Sequence, residues 1–115
     1  MIISLNSNLT NLSQLCTFVG AYGTDIAVNS SEWLVAIDVP QGNWLLVGYN
    51  GSTSACWLNG IADQNDLGYL AISAHSSFAK PVSVGGNKQF YLQNLSGGIV
   101  QNKSSTYLFA IRINN

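Results

Sequence analysis

Apolar side chains recur at every second residue through most of this sequence, and nowhere do they keep the three-and-four spacing of a helix for more than a turn or two. In residues 32–39, Trp33, Val35, Ile37 and Val39 alternate with Glu32, Leu34, Ala36 and Asp38. A strand sends successive side chains to opposite faces, so these two sets lie on opposite sides of a sheet. Pro40-Gln41-Gly42 then interrupts: proline presets a turn φ and glycine permits the reversal. Residues 43–50 resume, with Leu45, Val47 and Tyr49 opposite Trp44, Leu46 and Gly48. Both sides are apolar, the pattern of a strand covered on both faces. Asn50-Gly51 is a hairpin signal, so a return strand is expected over residues 52–59, with Cys56 and Leu58 opposite Ala55 and Trp57.

The remaining segments read the same way. Residues 69–73 form a short strand, and residues 60–68 a loop with Asp63-Gln64-Asn65-Asp66 at its polar tip. Residues 75–80 read as a loop containing Phe78, and residues 81–84 as an edge strand, because proline donates no ladder hydrogen bond. Gly85-Gly86-Asn87 and Gly97-Gly98 are turns on either side of a strand at residues 88–95. The last strand, residues 105–113, carries Tyr107, Phe109, Ile111 and Ile113 on one face and Thr106, Leu108, Ala110 and Arg112 on the other. Nearer the start, residues 2–5, 14–19 and 27–28 are shorter strand candidates. Eight to ten short strands in one domain over residues 1–115 predict an all-β, antiparallel β-sandwich of jelly-roll type.

Charge narrows the function. Charged residues are 8% of the chain, against about 25% in an ordinary domain. Ser, Asn and Gly, numbering 14, 13 and 11, keep the surface polar instead and supply the turns. The net charge of −1 leaves no basic patch for phosphates, which argues against nucleic acid and anionic membranes as partners. No apolar run has the length of a membrane span. The start, Met1-Ile2-Ile3-Ser4-Leu5-Asn6, has no basic segment before an apolar one, so no signal peptide is expected. Cys16 and Cys56 each lie in an apolar stretch and are expected to be free, buried thiols. Six Asn-x-Ser/Thr sequons, at Asn8, Asn11, Asn29, Asn50, Asn94 and Asn102, are what chance produces in so Asn- and Ser-rich a chain.

Catalytic machinery is not expected. His75 is the only histidine and has no nucleophile motif around it. Glu32 and Asp38 share a strand face but are separated by about 20 Å, too far to flank one glycosidic bond. Asp63 and Asp66 are spaced unlike a calcium loop, and two cysteines and one histidine far apart make no zinc site, so no metal or cofactor is expected. Trp33 and Trp44 are expected in the core. Trp57 is the more open indole, and with Tyr69, Asp63, Asn65 and Asp66 it is the ligand-binding candidate, because sugars stack on exposed rings beside polar side chains. Arg112, in an otherwise apolar last strand, must reach an end, meet a carboxylate or lie at a subunit interface. Two apolar faces on that strand argue for an oligomer whose interface holds Tyr107, Phe109, Ile111, Ile113 and Arg112.

The run Val39-Pro40-Gln41-Gly42-Asn43-Trp44-Leu45-Leu46-Val47-Gly48 resembles a Pro-x-Gly-x-Trp-Leu-Leu-x-Gly element of the jelly-roll head domains of bacteriophage tail fibres and related virion proteins. The ending Thr106-Tyr107-Leu108-Phe109-Ala110-Ile111-Arg112-Ile113 is similar to their closing strand. Such heads resemble the trimeric heads of tumour-necrosis-factor and complement-type proteins, and the likeness runs over residues 32–113. It implies a non-enzymatic homotrimeric knob on the virion surface, assembled in the host cytoplasm, that touches a host-cell glycan or protein. In such trimers the last strand lies near the three-fold axis. The shaft that usually precedes such a head is missing from this sequence. A free-standing lectin-like carbohydrate-binding module and a capsid decoration protein are the competing expectations, and an exposed aromatic cluster with nearby Asp and Asn would favour the lectin.

Overall fold

The computed structural model describes residues 18–61 and 69–114. These form ten strands and no helix: β1 (Phe18–Tyr22), β2 (Ala27–Val28), β3 (Trp33–Val39), β4 (Gly42–Tyr49), β5 (Cys56–Asn59), β6 (Tyr69–Ile72), β7 (Ser77–Val84), β8 (Lys88–Asn94), β9 (Val100–Gln101) and β10 (Tyr107–Asn114). They pair antiparallel into a first sheet ordered β1-β10-β4-β7, a second ordered β3-β8-β5-β6, and a two-stranded β2-β9 ribbon. The chain is an all-β antiparallel sandwich, as the alternation predicts. Its pairs nest: β5 with β6, β4 with β7, β3 with β8, β2 with β9, β1 with β10. The whole described chain is thus one long hairpin doubled back at β5–β6. The β10–β4 and β5–β8 pairings roll it into two sheets.

Between the sheets lie Trp44, Leu46, Leu58, Phe90, Leu92 and Leu108, all essentially inaccessible. Each such side chain contributes about 1.5–3 kcal/mol through burial. The Trp44 indole N–H donates to the Pro40 carbonyl at 3.0 Å, so the largest core side chain leaves no polar group unpaired.

Three expectations are corrected. First, Asn50-Gly51 makes no hairpin: β4 pairs in the first sheet, β5 in the second. Asn50 is instead a buried clamp at the crossing between sheets. Its amide nitrogen donates to the carbonyls of Ser54, Ile72 and Ser73, and its oxygen accepts from the Ser52 backbone and hydroxyl. The return strand accordingly starts at Cys56, well after residue 52. Second, residues 77–80 belong to β7, which runs through Pro81. Phe78 and Val82 pack towards the core, and β7 is an edge strand, the position expected for the proline segment.

Third, Trp33 is not core. A bulge interrupts the β3–β8 register, with Trp33 opposite Gln93 but Val35 opposite Leu92. Leu34 and Val35 are consequently both buried, and Trp33 is turned to the outer face, 45% exposed. One inserted residue reverses the side on which a strand residue lies.

Cys56 is a free, buried thiol whose pKa burial pushes up to about 12. The expected strand at residues 2–5, Cys16, and the loop tip with Asp63, Asn65 and Asp66 fall outside the described residues.

Candidate functional site

The inner faces of both sheets are spent on the core, and the outer faces differ from one another. On the first sheet, strict alternation turns Phe18, Gly20 and Tyr22 of β1, Tyr107, Phe109 and Ile111 of β10, and Leu45, Val47 and Tyr49 of β4 outwards. Phe18 stacks on Phe109 with ring centroids 6.3 Å apart. Tyr22 meets Phe109 edge-on at 5.4 Å, and Tyr107 lies 6.2 Å from Tyr49. Gly20 is required beneath this cluster, because a Cβ there would stand 2.6 Å from the Phe109 ring. Phe18, Tyr22 and Ile113 remain 60%, 64% and 55% exposed. Ile113 also lines a shallow depression with Asn43, Pro81, Val82 and Ser83. No Asp, Glu, Lys or Arg among the described residues points from this face.

The sequence-derived interface set therefore divides. Tyr107, Phe109 and Ile111 share the exposed face and Ile113 lies exposed at its end, whereas Arg112 leaves it. The Arg112 guanidinium carbon lies 4.3 Å from the centre of the Trp44 ring, and one nitrogen donates to the Gln41 carbonyl at 3.1 Å. Gly42, at φ 146°, allows this: a Cβ there would fall on the guanidinium. The charge is met by the electron-rich indole face and by the backbone at the sheet end.

On the second sheet, two full rows of outward residues lie side by side, with Asp38 and Gln89 beyond them on β3 and β8. Across β3, β8, β5 and β6 one row reads Trp33, Gln93, Trp57, Ala71; the next reads Ala36, Tyr91, Asn59, Tyr69. Trp33 stacks on Tyr91 at 4.1 Å, and Trp57 lies against Tyr69 at 4.7 Å. Between the two ring pairs, Asn59 donates to the Gln93 side-chain oxygen at 2.9 Å, and Gln93 donates to the Ser31 carbonyl at 2.6 Å. Ser31 adopts φ 69° in the turn that leads to the bulge. Of the predicted ligand set, Trp57 and Tyr69 are brought together here. Trp33, Tyr91, Gln93 and Asn59 were missed. Alternation would have found the last three beside Trp57, had the β5–β8 pairing been known; the bulge hid Trp33.

Elsewhere the ionisable groups serve local structure. Glu32 accepts from the Asn29 backbone N–H and Asp25 from that of Ser104. His75 is exposed at φ 55° in the turn before β7. No group of three or more His, Cys, Asp or Glu that could hold a metal occurs among the described residues. Three of the sequon asparagines are buried clamps: beside Asn50, Asn94 donates to the carbonyls of Val28, Asn29 and Gly98, and Asn102 donates to that of Leu34.

Fold and surface together define a β-sandwich domain with two exposed aromatic sheet faces, one uncharged and mainly apolar and one interleaved with amides. Neither a protein-family model nor a curated protein matches the chain.

Proposed function

We propose that this chain is a non-enzymatic recognition domain that self-assembles through the outer face of its first sheet and displays the second to a receptor. The observation that carries this is the continuous apolar face of Phe18, Tyr22, Tyr107, Phe109 and Ile111, more than half exposed at its aromatic edge and without a charged side chain. An exposed patch of this kind is a liability unless another surface covers it. Copies of the same chain are the simplest cover, since each carries the same face.

The nested pairing and the β1-β10-β4-β7 and β3-β8-β5-β6 orders support a jelly roll, a long hairpin wound into a sandwich. The position of β10 in the interior of the first sheet supports a homotrimer of the kind the sequence resemblance implies, with the closing strand towards the axis. The setting that suits such a domain is a fibre tip or knob on a virion surface, binding a glycan or protein of the host-cell surface.

Light scattering on a sizing column, at micromolar concentration and tenfold below, tests the assembly. A mass three times 12.3 kDa is expected. A monomer at both concentrations overturns the knob and leaves a free-standing binding module.

A further inference from the structure

The amide-and-aromatic face of the second sheet is not needed for assembly through the first, and its composition is not that of an assembly face. Its rings come as two cross-strand pairs, Trp33 stacked on Tyr91 across β3 and β8 and Trp57 tilted against Tyr69 across β5 and β6. Trp33 and Trp57 are two strand steps apart on one row, about 10 Å. The bonded amides of Gln93 and Asn59 lie between them. Each amide has two N–H donors and an oxygen with two acceptor sites. The bonds to Ser31 and between the two side chains use one donor of each amide and one acceptor site of Gln93. Among the described residues, the second N–H of each and the oxygen of Asn59 are left for a ligand.

The second face carries one charged side chain, Asp38, in the row of Gln89 beyond Ala36 and Tyr91, and, among the described residues, no cation. Lys80, Lys103 and Arg112 lie on other elements, and Lys88 shares the register side of the buried Phe90 and Leu92. A stacking platform without cations is unsuited to a nucleic-acid strand, whose backbone needs a basic groove. A peptide anchor would call for a pocket, and the small Ala36 and Ala71 leave the rows open rather than walled. The chemistry that uses every part of this face is a neutral polyol with flat apolar sides. A pyranose ring lays its polarised C–H face on the negative face of an aromatic ring. Its vicinal hydroxyls then donate and accept at an amide, as paired groups do in bidentate recognition.

We infer that the outer face of the second sheet binds a neutral oligosaccharide, with one sugar over the Trp33–Tyr91 pair, one over the Trp57–Tyr69 pair, and intervening hydroxyls on Gln93 and Asn59. This rests on the reading of the chain as a recognition domain and names the class of its ligand. The bulge at Leu34 is a building device of the site: it turns Trp33 outward on to Tyr91, and Gln93 holds the incoming turn through the Ser31 carbonyl.

The test is NMR titration of the ¹⁵N-labelled full chain with cellohexaose, chitohexaose and mannohexaose, with sialyllactose and oligo-deoxythymidine as charged comparators. At least one neutral sugar should give saturable shifts centred on the indole N–H signals of Trp33 and Trp57 and the amide signals of Gln93 and Asn59. Trp33→Ala, at an exposed site, and Asn59→Ala should each weaken that binding by about tenfold or more. Trp57→Phe, which keeps a ring, should weaken it less than Trp57→Ala, and guards against a variant that fails to fold. The inference is overturned if no neutral sugar shifts these signals, if a charged comparator binds more tightly, or if the Trp33 and Asn59 variants bind as the parent does. The mass of the same samples separates the two readings. A monomer that binds sugar through Trp33 sinks the assembly alone; an assembled chain that binds none sinks this inference alone.

Discussion

The two outer faces of this sandwich are each built on four strands and each carry a cluster of aromatic rings, yet they are made for different surroundings. On the first sheet the rings touch one another and aliphatic side chains, as Phe18, Phe109 and Tyr22 do. On the second, every ring has an amide or an alanine as its cross-strand neighbour. A face whose only polar groups are tyrosine hydroxyls and the small polar side chains near β7 gains most by losing water, as it would beneath another subunit. A face that alternates rings with hydrogen-bonding amides keeps its water until a ligand of matching polarity replaces it. Aromatic content alone does not separate these roles; what stands between the rings does.

The sharpest way to break this comparison is to charge each face in turn. Ile111→Asp together with Phe18→Asp should convert the assembly wholly to a 12.3 kDa monomer by light scattering. The substitutions lie at exposed positions, so the monomer's unfolding free energy should change by only about 0.5 kcal/mol each. Trp33→Asp should leave the mass unchanged; a loss of assembly there instead would reverse the two roles.

The next effect concerns the buried side of the strand that bears Trp57. Cys56 has a folded pKa of about 12 against 9.0 when exposed. The unfolded chain releases this proton first, so stability is fully present below pH 9.0 and falls as pH rises towards 12. The full loss is up to about 4 kcal/mol, at about 1.4 kcal/mol per pH unit. Urea unfolding across that range should show the decline, and Cys56→Ala should remove this part of it.

Smaller again is Asn94→Ala, which strips the donor from the carbonyls of Val28, Asn29 and Gly98 and should cost about 2–3 kcal/mol. Since the Asn94 backbone N–H also donates to the Glu32 carbonyl, next to Trp33, the Trp33 indole signal should broaden in this variant while those of the first-sheet rings stay sharp. Asn59→Ala is the mildest. It removes one half-buried hydrogen bond and should lower stability by under about 1 kcal/mol in the same unfolding assay. A larger loss would mean that the amide pair holds the sheet together rather than waiting for a ligand.

Much of the fold was legible because alternation is local. The bounds of β3, β4, β8 and β10 fall within about a residue or two of those read from periodicity. The failures share a cause, which is that local sequence does not state what a segment pairs with. Asn50-Gly51 has the composition of a tight turn, but its asparagine is spent on carbonyls from β6 and the Ser54 loop. In residues 77–80 the strand signal was masked by Lys80, which occupies an inward-parity position between Phe78 and Val82. Trp33 matched the apolar set of its strand perfectly, and a single extra residue at Leu34 reversed it. The apolar first-sheet face was readable from Tyr107, Phe109, Ile111 and Ile113 alone. The second-sheet platform was not, because its six side chains come from four strands whose order only the fold reveals.

The placement of β10 also sets a schedule for synthesis. It is the last strand of the described chain, yet it is hydrogen-bonded on both sides, between β1 and β4. Until it emerges from the ribosome, β1 has no ladder partner among the described residues and β4 has one bare edge, and both already carry outward-facing rings and aliphatics. The nascent chain therefore passes through a stage with two open strand edges and an uncovered aromatic surface, the combination that favours intermolecular pairing. Nested pairing lengthens that stage, because its outermost contacts join β1 and β10, which lie far apart in sequence. Yield in cells should depend on how quickly translation clears β10 and on chaperones that shield the chain before it does.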